Sequence, residues 1–549
     1  MIKALLHKFL LLGILCMLGI EMSAEPINYL CFTANADNST VKLVKYGTPT
    51  AISLQYLKPG EEWKTYAVGD EITLPSVNDK VYFRTSSIGP VAFSQSMSKY
   101  YNFEMSGKVA ASGDVMSLVQ TNCKTVEIPS DYCFYQLFAN CTGLVSAPEL
   151  TADILKPYCY AQMFSGCTSL VAAPEIMATQ LAKNCCNKMF GGCKSLTEVP
   201  ALKAEKLEES CYANMFEDCV ALKKAPELPS MTLAIYCYEN MFSGCSALNE
   251  APALPATELK KGCYRTMFFS CISLTSSPVL PAQKLVDNCY DRMFSACTKL
   301  NKVTAAFPSF NNPKSATNNW LSGVAKKGTF VRSDLLVAEK RGETTIPEGW
   351  DEQEALVRTI LKDKGWLTLF YSNQLTIPEG VQTYYASSAS NKSITLKPVA
   401  DNYIPKTFAV AVKAVNALKA DSTVFFMIDQ EGTDSYDVTN KLEGTLTDMD
   451  APANAYVLDG KTTTPDKAVF NYFTGATLGA CKAYIILEGN SDSKVDCVID
   501  ESSEVTGIDS VRQFQQTAHQ DGTYNLQGVR VNANYKGIVI SNGKKYLVK

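Results

Sequence analysis

A period of 26 residues governs the middle of this 549-residue chain and limits what it can become. Fourteen cysteines stand in two ladders that step by 26 without insertion. One runs Cys133, Cys159, Cys185, Cys211, Cys237, Cys263, Cys289; the other runs Cys141, Cys167, Cys193, Cys219, Cys245, Cys271, Cys297. Five residues after each first-ladder cysteine comes phenylalanine, from Phe138, Phe164 and Phe216 to Phe294; eleven after comes leucine, from Leu144, Leu170 and Leu222 to Leu300. A fixed period with several invariant columns means units that cannot bury an apolar face alone and must stack. Seven copies at the strand spacing of ~4.8 Å make a stack of roughly 30 Å.

Each copy predicts one helix and one strand. In Cys159-Tyr160-Ala161-Gln162-Met163-Phe164-Ser165-Gly166-Cys167 the apolar offsets 0, 1, 4, 5 and 8 fall within about 140° of a helical wheel. A short strand is expected after Leu170. The prolines at Pro148, Pro174, Pro200, Pro226, Pro252 and Pro278 keep such strands short, because proline donates no ladder bond. Cysteines eight apart on a helix lie ~12 Å from one another, beyond disulfide reach. They are therefore expected as buried thiols, and their scatter along the chain argues against a zinc site.

The register Cys-Tyr-x-x-Met-Phe-x-x-Cys-x-x-Leu resembles the leucine-rich repeat of the BspA-like, or Treponema-type, surface proteins common in Bacteroidetes and other host-associated microbes. The resemblance covers 133–314. It implies an α/β leucine-rich repeat solenoid and, in some members, adhesion to host cells or matrix proteins. The structural columns are then Cys133, Phe138, Cys141, Leu144, Cys159, Phe164, Cys167, Leu170, Cys211, Phe216, Cys219 and Leu222.

The flanks read differently. Lys3 and Lys8 precede the apolar run Phe9 to Ile20, which marks 1–24 as a secretory signal, with a membrane anchor and lipidation at Cys16 as alternatives. Residues 25–104 carry short β-rich runs broken by Gly, Pro, Asn and Asp, as expected of a β-sandwich-like domain. A cap is expected at 105–132 and another at 315–351. Residues 352–500 predict a second β-sandwich-like unit and 501–521 a linker. The tail 522–549 predicts a hairpin around Asn542-Gly543. It also resembles a shortened sorting domain of the type IX secretion system.

Histidine occurs only at His7 and His519, which removes histidine-based triads and zinc sites. No glycine-rich phosphate loop is present, and a net charge of -4 offers no basic stripe for nucleic acid. No enzyme activity, cofactor, metal or transmembrane helix is expected. The variable columns after each leucine give Glu149, Glu175, Glu198, Lys224, Glu227, Glu250 and Lys302 as a candidate protein-binding surface. The function expected is a secreted or cell-surface adhesin for a host or matrix protein. The alternatives are a glycan-binding protein acting through the flanking β domains, or a structural envelope component.

Overall fold

The computed structural model describes residues 28–120, 127–337, 340–416, 418, 421–430, 432, 438–458, 468–489 and 492–500, and the backbone of three short strands within 524–548. The expected signal at 1–24 with Cys16, the linker at 501–521 and the Asn542-Gly543 turn lie outside the described residues. The chain divides into two compact units, Met1–Gln353 and Glu354–Lys549.

The first unit opens with β1 (Leu30–Ala34), β2 (Ser39–Tyr46), β3 (Leu54–Leu57), β4 (Lys64–Tyr66), β5 (Glu71–Leu74), β6 (Lys80–Thr85), β7 (Tyr100–Ser106) and β8 (Val109–Ser112). Their residues alternate buried and accessible, as in Ser39–Tyr46, which is the period of a strand with one wet face. One sheet runs β4-β3-β6-β1-β8 and a second runs β5-β2-β7. Phe32, Phe83 and Phe103 meet edge to face in the core. β8 then pairs in parallel with β9 (Leu144–Ser146) of the first repeat copy.

The repeats hold no helix, which corrects the α/β leucine-rich repeat solenoid expected above. Among the described residues there is no α-helix, only two single-turn 3-10 helices, and the regular structure is otherwise β. The cysteine-bearing stretch is a chain of β-turns. In the second copy Cys159, Ala161, Met163, Ser165 and Cys167 donate N–H to the carbonyl three residues back. The residues between them, Tyr158, Tyr160, Gln162, Phe164 and Gly166, donate to Lys183, Cys185, Asn187, Met189 and Gly191 of the next copy. Alternate amides thus serve the turn and the stack, and none serves an i to i−4 ladder. Tyr158, Gln162 and Gly166 have φ of 58°, 56° and 76°, the left-handed third position of type II turns. Side chains at offsets 0, 4 and 8, and at 1 and 5, therefore point inward by a period of four.

Copies meet through identical residues. Phe103 of β7 begins a ring stack that continues through Phe138, Phe164, Phe190, Phe216, Phe242, Phe268 and Phe294, with centroids 5.4–5.8 Å apart. The second cysteine ladder is bonded as well as buried. Cys167 and Cys193 donate S–H to the carbonyls of Phe138 and Phe164 at 3.0 and 3.1 Å, and the pattern repeats to Cys297 and Phe268. A thiol is small enough to let coils approach and still supplies a weak donor. The described cysteines are all free. The strand segments are mostly single parallel bridges, such as Leu150 with Ile176 and Ala172 with Glu198. Only β10 (Ser276–Leu280), β11 (Lys302–Ala305) and β12 (Thr329–Ser333) form a longer parallel ladder. Its register shifts between Ser276 and Val279, around Pro278, which has no N–H to pair. At the far end Trp320 is fully buried among Phe307, Phe310 and Phe330, with its indole N–H on the Thr345 carbonyl. One hydrophobic core runs from Leu30 to Trp350.

The described residues of the second unit form only β structure and turns. Val381–Ala389 lies between Ser393–Pro398 and Val410–Ala414, antiparallel to both, and Ser393–Pro398 pairs in parallel with Lys494–Ile499. Three apolar clusters, around Trp366, Tyr384 and Phe470, around Leu356, Leu369 and Phe426, and around Ala455, Leu478 and Tyr484, fill its described residues. A sandwich describes it loosely. The strands Tyr524–Asn525, Gly537–Ser541 and Lys544–Val548 form a small antiparallel sheet.

Candidate binding surface on the repeat stack

The stack fixes which side chains face out. Glu149, Glu175, Glu198, Lys224, Glu227, Glu250 and Lys302 are all exposed. Glu198, Lys224, Glu250 and Lys302 share one column, thirteen residues after the first cysteine of their copies; Lys224 bridges Glu250, and Ser276 bridges Lys302. Their signs alternate Glu, Lys, Glu before the neutral Ser276. Glu149, Glu175 and Glu227 stand in a neighbouring column, three positions further on. Glu175 lies 3.9 Å from the Lys203 ammonium. The charges on Glu198, Lys224, Glu227, Glu250 and Lys302 join no ion pair among the described residues. The twelve structural residues Cys133, Phe138, Cys141, Leu144, Cys159, Phe164, Cys167, Leu170, Cys211, Phe216, Cys219 and Leu222, drawn from four columns, are buried.

Several charges on the turn side of the stack are already partnered. Arg265 donates to Glu239 at 2.9 Å and to Asp291 at 3.0 Å, one copy away on either side. Burial raises the Glu239 carboxyl despite the opposing pull of Arg265. The Asp291 hydrogen bond, the largest influence on it, raises the Arg265 guanidinium. Thr179 holds Asp153 below its ordinary value through its hydroxyl and N–H. Lys183 pairs with Glu209 at 2.9 Å. The sequence reading passed over the Glu239–Arg265–Asp291 ladder because it followed only the leucine-side columns. The signal was present two residues after the first cysteine, where Glu239, Arg265 and Asp291 succeed one another at 26.

Among the described residues no cluster of three or more His, Cys, Asp or Glu side chains is arranged to hold a metal, and no helix is long and apolar enough to cross a membrane. No known protein family, curated protein or solved structure matches the chain.

Proposed function

We propose that this is a non-enzymatic, secreted or surface-exposed binding protein whose repeat stack engages a protein ligand, as an adhesin does. The observation that carries the reading is the exposed column Glu198, Lys224, Glu250 and Lys302, held in fixed register and left out of the ion pairs that knit the other face. Alternating charges on a rigid backbone suit a complementary protein surface, where charge sets register and association rate more than affinity. A polyanion would call for one repeated sign. Kinship with BspA-like surface proteins belongs to the same proposal and rests on the Cys-Tyr-x-x-Met-Phe-x-x-Cys register alone.

The test is saturable binding of the full chain to immobilised matrix proteins and to epithelial cells. The triple reversal Glu198→Lys, Lys224→Glu, Glu250→Lys is expected to reduce binding by about tenfold or more, with an unchanged melting temperature. Binding that ignores the reversal removes the column from the reading. Absence of binding to matrix and cells alike removes the adhesin.

A further inference from the structure

Where β7 meets the first two repeat coils, five tyrosines touch in sequence. Tyr46 and Tyr100 are directly opposed on β2 and β7, and their rings stack at 4.8 Å and 13°. Tyr100 meets Tyr135 edge-on at 5.4 Å, Tyr135 meets Tyr132 at 5.9 Å, and Tyr132 stacks on Tyr158 at 4.6 Å and 6°. Tyr46 keeps 43% of its surface exposed. Beside this run lies a cleft of about 290 Å³ whose lining includes Tyr46, Tyr100, Asn102, Glu104, Gln136 and Asn140.

The polar groups are held in place by the fold. The Asn102 amide is 5% exposed and donates to the backbone carbonyls of Gln136 and Ala139. Gln136 donates to the Tyr135 hydroxyl at 3.1 Å and to the Gln162 side-chain oxygen at 2.9 Å, and Gln162 donates back to Tyr135. Glu104 is exposed at the cleft, one register step along the same strand face as Asn102.

We infer that this cleft is a binding site for a neutral saccharide, the end of a glycan chain. A pyranose ring has an apolar C–H face and a rim of hydroxyls that each donate and accept. Tyrosine rings supply a flat apolar surface with a polar tip. The N–H groups of Asn102 and Gln136 are spent within the fold, which leaves their amide oxygens as acceptors, while the exposed Asn140 amide both donates and accepts and the Glu104 carboxylate accepts from two hydroxyls. Glu104 disfavours an acidic sugar. The volume of about 290 Å³ falls just short of the ~300–1,000 Å³ range of small-ligand sites, which limits the occupant to a short glycan end. A proline-rich peptide also docks on tyrosines, but proline offers no donor to the carboxylate, so the cleft's polar groups favour the sugar. The inference stands apart from the proposed protein ligand, because the two sites share no residue.

The experiment presents the full chain to immobilised neutral oligosaccharides with glucose, galactose, mannose and N-acetylglucosamine ends, and to a proline-rich decapeptide. At least one saccharide should be retained saturably. Tyr46→Ala should weaken that binding by about tenfold or more, and Lys284→Ala, at an exposed position outside both sites, should leave it unchanged. If Tyr46→Ala lowers the melting temperature, the exposed and isosteric Glu104→Gln decides instead, with a loss expected. The site is overturned if no saccharide is retained, if the deciding variant binds as the parent does, or if the peptide is retained and the sugars are not.

Discussion

Cys186 stands where other copies carry a ring. Tyr160, Tyr212, Tyr238, Tyr264 and Tyr290 occupy the same position, and Tyr212 to Tyr290 stack at 5.9–6.1 Å. At Cys186 the stack is broken, and the hydroxyls of Tyr160 and Tyr212 on either side are buried without a hydrogen-bond partner. Cys186→Tyr should restore two stacking contacts, worth about 0.5–1.5 kcal/mol each, and raise the melting temperature. An unchanged or lower midpoint would mean that the coil has closed over the gap. Burial pushes the thiols of Cys133, Cys193, Cys237, Cys245, Cys289 and Cys297 from 9.0 up to about 12. Below pH 9 these groups hold their protons in both states and stability does not depend on them. Above pH 9 the unfolded chain gives up protons that the folded chain keeps, so unfolding gains. The cost per thiol is about 1.4 kcal/mol for each pH unit. The melting temperature is therefore expected to hold level up to about pH 9 and drop steeply from there toward about pH 12; a level profile through this window would show that the thiols are accessible.

Turn and helix give opposite signs at Gly192. Its φ is +76°, and a Cβ there would meet nothing closer than Gly166 atoms at 3.8 Å. Gly192→Ala therefore adds strain without a clash and should destabilise by roughly 1–2 kcal/mol. In a helix the same change would stabilise by about 1 kcal/mol. Thermal or urea unfolding separates the two, and Gly192→Asn should be tolerated better, since Asn140 holds the equivalent place at φ 63°. The ambiguity in the sequence had a physical origin. Offsets 0, 1, 4, 5 and 8 satisfy a period of 3.6 and a period of 4 equally well over nine residues. What distinguishes them is the outward columns. Asn140, Gly166, Gly192, Asp218 and Gly244 fall at one offset, and Asn214 and Asn240 fall four residues before it. Residues that favour left-handed backbone at four-residue steps signal turns, not helix. The inward columns and the period were legible because burial repeats them without change. The tyrosine cleft was not, because it joins Tyr46, Tyr100 and Gln136 across separate segments that no local pattern links.

For the first unit as a whole, the β strands at its start and the tryptophan cluster at its end close one apolar column. Repeated neighbours contribute similar free energies, so stability accumulates copy by copy. The exposed candidate columns were readable as positions but carried no ligand identity, because exposed side chains answer to a partner and not to packing. Adjacent coils are held by amide bonds directed from one to the next, as from Tyr158, Tyr160, Gln162, Phe164 and Gly166. A load along that direction passes in full through every boundary, and the row of bonds that yields first, five turn amides together with others such as Ala173 to Glu198, lets go before its neighbours do. Each coil that peels away would release 26 residues, roughly 90 Å of extended chain. Pulled from its ends, the stack would lengthen in equal steps and dissipate force gradually, the behaviour of a shock-absorbing tether.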